Sequence, residues 1–130
     1  METNRQILQK AEEASKNAYC PYSEFPAGAY AVFESGRGFK GCNVENSSYG
    51  LTLCAERNAI SSAIAAGETS RLVKIAVYSP KSKLCFPCGA CRQWIAEFSK
   101  GFNTEIILED ENSEPASFYI NDLMPCPFTL

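Results

Sequence analysis

The segment LCFPCGACRQW (84–94) places Cys85, Cys88 and Cys91 at three-residue steps. Cys88 and Cys91 have the C-x-x-C spacing of zinc sites, and a helix that starts there would present both thiols from its first turn. The chain contains seven cysteines and no histidine. Any metal held here therefore has no imidazole ligand, and any proton transfer has no imidazole carrier.

A second group with chemical potential stands in CAERNAISSAIAAG, where Cys54 precedes the carboxylate of Glu56 by two residues. The apolar residues Ala59, Ile60, Ala63 and Ile64 recur at helical spacing and predict the buried stripe of a helix. Glu56 falls near that stripe, so its side chain is expected to face inward. A buried carboxylate is costly unless it has a partner or a chemical role.

The two helix starts together suggest a catalytic metal centre. A helix N-terminus lowers thiol pKa and favours the thiolate that zinc requires. Thiolates from Cys54, Cys88 and Cys91 would give zinc three protein ligands and leave the fourth tetrahedral position open, which is the pattern of catalytic sites. Glu56 would then stand beside the bound water as a base.

The remaining cysteines are interpreted as packing residues. Cys85 extends the run towards the iron–sulfur spacing C-x-x-C-x-x-C-x-x-x-C, but Ile95 occupies its fourth position. Cys85 is therefore expected to pack at the end of a strand. Cys20, Cys42 and Cys126 are expected to be buried small residues.

Composition limits the classes of function. A length of 130 residues predicts one domain, 1–130, with a working core. The net charge is −3, and the 12 basic residues are scattered, which argues against nucleic acid and anionic membranes as partners. No apolar run approaches the roughly 18 residues that span a bilayer. With no secretory leader and an odd number of cysteines, a cytoplasmic protein is expected.

Hydrophobic periodicity predicts the order α-β-β-α-β-α-β-β-α. Thr3 and Gln6 can form a capping box before a helix with apolar residues from Ile7 to Ala18. The predicted strands are 28–34 and 39–44 (joined by the turn SGRG), 72–79, 104–109 and 116–120. The later helices are predicted over the segment from Cys54 to the stop signal Gly67, over 90–98 with an end near Gly101, and briefly after 120.

The strands at 72–79 and 104–109 are linked through a helix and should be parallel, whereas the first two should form an antiparallel hairpin. The fold class predicted is α/β, a three-layer α/β/α arrangement with a central mixed five-stranded sheet.

The motifs resemble a known family. CAE followed by PCGACR is similar to the zinc deaminase signature in its three-cysteine form. PYSEFPAGA, GCNVENSSYGLTLCAERNAI and PCGACRQ, in this order, resemble the small cytidine deaminases of nucleoside salvage. The resemblance spans about residues 18–95. It implies zinc-dependent hydrolytic deamination of cytidine and deoxycytidine to uridine and deoxyuridine, with one Zn²⁺ per subunit of a homotetramer.

The resemblance also implies roles for single residues. Glu56 would be the proton shuttle, and Arg57 would offset the negative charge of three thiolates on one zinc ion. The positions that match substrate contacts are Phe25 against the pyrimidine, Asn43 and Glu45 on the ribose hydroxyls, Ala55 at the ring edge through its backbone, Ser47 and Tyr49 lent to a neighbouring subunit's site, and Phe128 closing over the base from another subunit. Ser47 departs from the alanine that the family pattern leads us to expect.

Three alternatives stay open at this point. A deaminase acting on another cytosine-bearing molecule would keep the three cysteines without needing Asn43 and Glu45. A zinc-stabilised binding domain would need a fourth protein ligand, for which Cys85 is the local candidate. A redox protein would use the C-x-x-C pair as a disulfide, which leaves Cys54 without a role.

Overall fold

The elements follow the predicted order closely. The computed structural model describes residues 2–130. Its elements are α1 (Asn4–Ser15), β1 (Gly28–Phe33), β2 (Gly38–Cys42), a 3₁₀ turn (Tyr49–Leu51), α2 (Ala55–Ala65), β3 (Leu72–Tyr78), α3 (Gly89–Ser99), β4 (Glu105–Glu109), β5 (Pro115–Tyr119) and α4 (Ile120–Leu123).

The five strands form one mixed sheet in the order β2-β1-β3-β4-β5. β1 pairs antiparallel with both β2 and β3, β3 and β4 are parallel, and β5 returns antiparallel to β4. The parallel pair is joined through α3, as a crossover requires. The predicted hairpin and the predicted parallel pair are both confirmed.

Helices cover both faces of the sheet. On one face, Ile7, Leu8 and Ala11 of α1 form a buried cluster with residues of the central strands, which are Tyr30, Ala76 and Ile107. On the other face, the predicted stripe of α2 and Ile95 of α3 pack into a larger cluster over the sheet. The three-layer α/β/α architecture is therefore confirmed.

Helix ends agree with the local signals at most positions. Thr3 and Gln6 form the predicted capping box at the start of α1. Gly67 has a φ of +89°, and glycine reaches this left-handed conformation without strain where α2 ends. The helical prediction was wrong at Ala18, because α1 ends at Ser15 and the chain turns. It was also wrong to bury Ile64, which is exposed in the last turn of α2.

Gly41 brings α2 directly onto β2. A Cβ atom at this position would lie 2.3 Å from the backbone nitrogen of Ala59 and 2.5 Å from the carbonyl oxygen of Ala55. Only glycine allows this approach, because backbone atoms on the facing helix cannot move aside as a flexible side chain does. The side-chain Nδ2 of Asn58 adds a 2.8 Å hydrogen bond to the carbonyl oxygen of Cys42. The start of α2 is thereby fixed beside the end of β2.

Within residues 2–130, the helices are all too short or too polar to cross a membrane.

Candidate functional site

The structure brings three cysteines together at the starts of two helices. Cys54 is the N-cap residue of α2, Cys88 is the N-cap residue of α3, and Cys91 lies in the first turn of α3. Their three Sγ atoms all lie within 4.8 Å of one another, and those of Cys54 and Cys88 are 3.9 Å apart. Two thiolates on one tetrahedral zinc ion, each at about 2.3 Å, are separated by about 3.8 Å. The sulfur spacing therefore fits a single zinc ion.

Ionisation of all three cysteines in this cluster would need a cation. A hydrogen bond from the Cys91 thiol, and then the Arg57 guanidinium, lower the pKa of Cys54 to about 5. The contact with Cys54 and burial raise the pKa of Cys91. Three neighbouring thiols cannot all ionise near neutral pH without a positive ion between them.

Arg57 is placed to share in the neutralisation. Its Nη2 atom lies 3.3 Å from Sγ of Cys54 and 3.5 Å from the carbonyl oxygen of Thr52. Its Nε atom is buried and has no hydrogen-bond partner among residues 2–130. The guanidinium is thus held against the sulfurs by the loop before α2.

Glu56 faces inward, as the sequence predicts, and only 5% of its surface is exposed. Burial raises the pKa of its carboxyl to about 7, and the negative charge at Cys54 adds to this effect. A carboxyl whose pKa lies near 7 can both accept and release a proton at neutral pH. Glu56 therefore has the properties of a proton carrier beside the sulfur cluster.

Cys85 lies outside the cluster of three sulfurs. It packs, partly buried, against the core under α2 and α3, and burial raises its pKa to about 11. Its interpretation as a packing residue agrees with this environment. The burial predicted for Cys126 was wrong, because that side chain is exposed on the segment after α4, whereas Cys20 and Cys42 are partly buried.

Asn43 and Glu45 follow the end of β2 and hold the loop that carries Phe25. The Oδ1 atom of Asn43 accepts from the backbone N–H of Ala27 at 2.9 Å, and its Nδ2 atom donates to the carbonyl oxygen of Phe25 at 2.9 Å. The Glu45 carboxylate accepts from the backbone N–H groups of residues 22 and 23 at 3.0 and 3.1 Å, and also from the Ser23 hydroxyl. These bonds lower the pKa of Glu45.

An open cleft lies between this loop and the segment before α2. It has a volume of about 220 Å³ and is lined by Tyr22, Ser23, Glu45, Tyr49 and Thr52. Of these residues, Thr52 lies nearest in the chain to the sulfur cluster, two positions before Cys54. Ala55, the next residue after Cys54, is fully buried at the start of α2.

Other predicted substrate residues are exposed in the single chain. Tyr49 is 74% exposed and Phe128 is 69% exposed. Phe25 and Ser47 are exposed as well. The chain thus gathers the sulfurs, Glu56 and Arg57 in one place, whereas Ser47, Tyr49 and Phe128 stay exposed.

Comparison with known proteins agrees with this geometry. The family described as "Cytidine and deoxycytidylate deaminase zinc-binding region" matches residues 1–107. The chain belongs to this family. The matched region includes all three clustered cysteines and Glu56, and the family's metal is zinc. The donor set of three thiolates near a helix-bound arginine fits that ion.

Curated relatives and solved structures cover nearly the whole chain. The chain is 37% identical over 123 residues to the cytidine deaminase of Halalkalibacterium halodurans, which spans 95% of this chain and 92% of that protein. It is 40% identical over 120 residues to the cytidine deaminase of Mycobacterium tuberculosis, spanning 92% and 85%. The crystal structure of cytidine deaminase from Burkholderia pseudomallei superposes with a TM-score of 0.88 at 41% identity, covering 98% and 100% of the two chains.

The deaminase motif PCGACRQ contains two residues for which the sequence provided no role. Arg92 donates from Nε to the carbonyl oxygen of Pro87 at 2.8 Å and from Nη1 to that of Leu123 at 3.2 Å. Gln93 forms hydrogen bonds with the backbone of Phe128. Only their position in the PCGACRQ motif could have indicated a role for Arg92 and Gln93, because neither side chain is needed to bind a metal.

Proposed function

We propose that this chain catalyses the hydrolytic deamination of cytidine and deoxycytidine to uridine and deoxyuridine, with release of ammonia, in nucleoside salvage. One observation carries the proposal, which is that three sulfur atoms spaced for a zinc ion adjoin a buried glutamate at two neighbouring helix starts. Three protein ligands leave one coordination position free, as in catalytic zinc sites.

Cys54, Cys88 and Cys91 would hold the zinc ion, with Arg57 offsetting the surplus negative charge. When bound, zinc lowers the pKa of a coordinated water from about 15.7 towards 7 and so makes a nucleophile available at neutral pH. The absence of Cys85 from the sulfur cluster argues against a closed four-cysteine structural site.

Glu56 would move the protons. It takes a proton from the attacking water and delivers it to ring N3, which makes C4 more electrophilic while the water oxygen bonds to C4. Glu56 then carries the second proton of that oxygen to the amino group as the C4–N4 bond breaks. Ammonia leaves, C4 keeps the oxygen as a carbonyl, and the carboxyl returns to its starting state.

Asn43 and Glu45 would bind the ribose hydroxyls, and Phe25 would pack against the pyrimidine. Asn43 already uses one donor and one acceptor on the loop, but its amide group retains a further N–H and a further lone pair. The Glu45 carboxylate attracts hydroxyl donors and repels a phosphate. We therefore propose free nucleosides, and neither nucleotides nor nucleic acid, as substrates. The backbone of Ala55 would fix the edge of the ring.

We propose that the site is completed by other subunits of a homotetramer. The cleft of about 220 Å³ is smaller than the roughly 300–1,000 Å³ of usual ligand cavities. The exposed Ser47, Tyr49 and Phe128 are then available to neighbouring sites. A preparation that sediments as a monomer and is still fully active would refute this assembly.

We also propose that residues 1–130 act as one catalytic domain and that the protein works in the cytoplasm. The single sheet that joins strands from both halves of the chain supports the first proposal. The seven cysteines, all free of disulfides, support the second.

The test is ammonia release by the purified protein from cytidine, deoxycytidine and deoxycytidine monophosphate, before and after the metal is removed. We expect turnover of both nucleosides, little of the nucleotide, loss of activity without metal, and its return with zinc. A fully zinc-loaded protein that releases no ammonia from any of the three would contradict the proposal. Preferred turnover of the nucleotide would contradict the role given to Glu45.

A further inference from the structure

Two consecutive residues of α3 attach the end of the chain to the helix that presents Cys88 and Cys91. Arg92 holds the carbonyl oxygen of Leu123, the last residue of α4. Gln93 holds Phe128: its Nε2 donates to the Phe128 carbonyl oxygen at 2.9 Å, and its Oε1 accepts from the Phe128 N–H at 3.3 Å. One carboxamide therefore binds both polar groups of a single residue's backbone.

These two bonds are the polar attachment of the segment 125–130. Among residues 2–130, no other hydrogen bond or ion pair is formed by that segment. Pro125 and Pro127 lack the N–H that a strand or helix would need, and their rings fix φ. The segment is therefore short of other anchors but stiff, so that fixing Phe128 to α3 sets the position and the Cα–Cβ direction from which its ring projects.

We infer that Gln93 is a positioning residue for substrate binding and acts through Phe128. The inference rests on the proposed function, in which Phe128 is available to a neighbouring subunit's site and its ring would close over the base there. In the single chain that ring is mainly exposed while its backbone is held. Holding the backbone before substrate arrives reduces the ordering cost that binding must otherwise overcome. We call the pair of hydrogen bonds between Gln93 and the Phe128 backbone the clamp. Loss of the clamp should therefore weaken substrate binding and leave the proton transfers at Glu56 unchanged.

The test variant is Gln93→Met, which keeps the length and the helix propensity of the side chain and removes both hydrogen bonds. We expect KM for cytidine to rise about tenfold, as the loss of two neutral hydrogen bonds predicts, with kcat within about twofold of the original enzyme. Gln93→Glu keeps an acceptor for the Phe128 N–H and should give an intermediate KM. Glu97→Gln, one turn further along the exposed face of α3, is the matched control and should change neither value.

A double-mutant cycle separates a clamp from a general effect on α3. Phe128→Ala should raise KM at least as much as Gln93→Met, and the double variant should be no worse than Phe128→Ala alone. Additive losses would overturn the inference. So would a Gln93→Met protein that has lost its zinc, because Gln93 would then be needed to hold the start of α3, which carries Cys88 and Cys91.

Hydrogen exchange provides a readout that does not need turnover. In Gln93→Met, the amide of Phe128, which loses its acceptor, should exchange faster, while those of α3 should keep their protection. If the unaltered protein deaminates no nucleoside but the exchange result holds, the proposed function fails and the clamp stands. Unchanged exchange in an active enzyme whose KM is also unchanged would overturn the clamp alone.

Discussion

Helix α2 has a buried glutamate at each end, and the two carboxyls behave in opposite ways. Glu56 lies in its first turn and Glu68 follows its last turn, with 5% and 6% of their surfaces exposed. The pKa of Glu56 is raised to about 7, whereas that of Glu68 is lowered to about 2. Two carboxyls with similarly small exposed surfaces thus differ, because one exchanges protons at neutral pH and the other stays ionised.

The helix dipole predicts the reverse order. A carboxylate is favoured at the N-terminus of a helix and disfavoured beyond its C-terminus, by about 0.3–1 kcal/mol. Glu68 overcomes this effect with donors: Ser35 Oγ at 2.5 Å, the N–H groups of Thr69 and Ser70 at 3.0 and 2.9 Å, and Ser70 Oγ at 2.8 Å. At Glu56, desolvation is the largest effect and outweighs the favourable end of the helix.

The difference teaches that a small exposed surface alone does not identify a functional carboxylate. Glu68 joins the turn after β1 to the loop before β3, so its charge is used to fix the fold. Glu56 lacks such a set of donors and stands instead beside three sulfurs. Donors set the pKa of the structural carboxylate, whereas desolvation sets that of the chemical one.

The largest effect on zinc content and activity is expected when a cysteine of the sulfur cluster beside Glu56 is replaced. Cys54→Ala removes one of three thiolates, and two ligands hold zinc much more weakly than three. We expect bound zinc to fall from about one ion per chain to almost none, with loss of all measurable deamination. Metal analysis of the purified variant and ammonia release are the measurements.

Cys85→Ala is the matched control, since Cys85 lies in the same segment as two of the ligands but outside the cluster. It should retain zinc and turnover, with some loss of stability from the packing that it removes. If Cys85→Ala lost zinc as completely as Cys54→Ala, the site would be a four-cysteine centre and the catalytic interpretation would be wrong.

The next-largest effect, on kcat, is expected at Glu56, and the same substitution at Glu68 is its direct comparison. Glu56→Gln keeps shape and burial but removes the proton carrier, so kcat should fall by about 10³-fold or more while zinc and the fold are retained. Glu68→Gln should leave kcat and KM within about twofold, because Glu68 lies at the far end of α2 from the sulfurs. Steady-state kinetics and zinc content measured on both variants make the comparison.

An active Glu56→Gln enzyme would remove Glu56 from the proton path and leave the zinc site intact. A Glu68→Gln enzyme with greatly reduced kcat but normal zinc would mean that the two ends of α2 are coupled, and the contrast drawn between them would not hold.

The unequal predictability of the two glutamates has a physical cause. Glu56 could be predicted to face inward because its neighbours Ala59, Ile60 and Ala63 repeat with the helical period, which is local information. Glu68 follows the helix stop, where no period applies, and its strongest partner Ser35 is 33 residues away in the chain. A contact of that kind depends on strand pairing, which the local pattern does not specify.

The same distinction applies to the rest of the molecule. The strand and helix order and the Cys88–Cys91 pair were predictable, because periodicity and C-x-x-C spacing are short-range signals, whereas the place of Cys54 in the cluster depended on combining two predicted helix starts. The contact of Gln93 with Phe128 joins residues 35 apart and was not predicted. The bonds from Asn43 to the loop of Phe25 were likewise missed, since the family resemblance implied ribose contacts and the loop geometry became visible only in the folded chain.

The smallest effect expected is a pH-dependent loss of stability at the Glu68 end. The folded pKa of Glu68, about 2, lies below its unfolded value of 4.5, chiefly because the Ser35 hydroxyl and the groups of residues 69 and 70 bind the ionised form. The ionised group therefore stabilises the fold fully above pH 4.5, and this contribution is lost as the pH falls from 4.5 towards 2. Glu68→Gln lacks this contribution at every pH.

Urea unfolding of the original protein and of Glu68→Gln at about pH 7, 5 and 4 measures the contribution as a difference. The original protein should be the more stable one at the two higher values, and the gap should begin to narrow at the lowest. Protonation of the zinc thiolates destabilises both proteins alike and cancels in the difference. A gap that is constant over the whole range would mean that the shape of the side chain, and not its charge, holds this end of α2. Glu68 would then no longer be the ionised counterpart of Glu56.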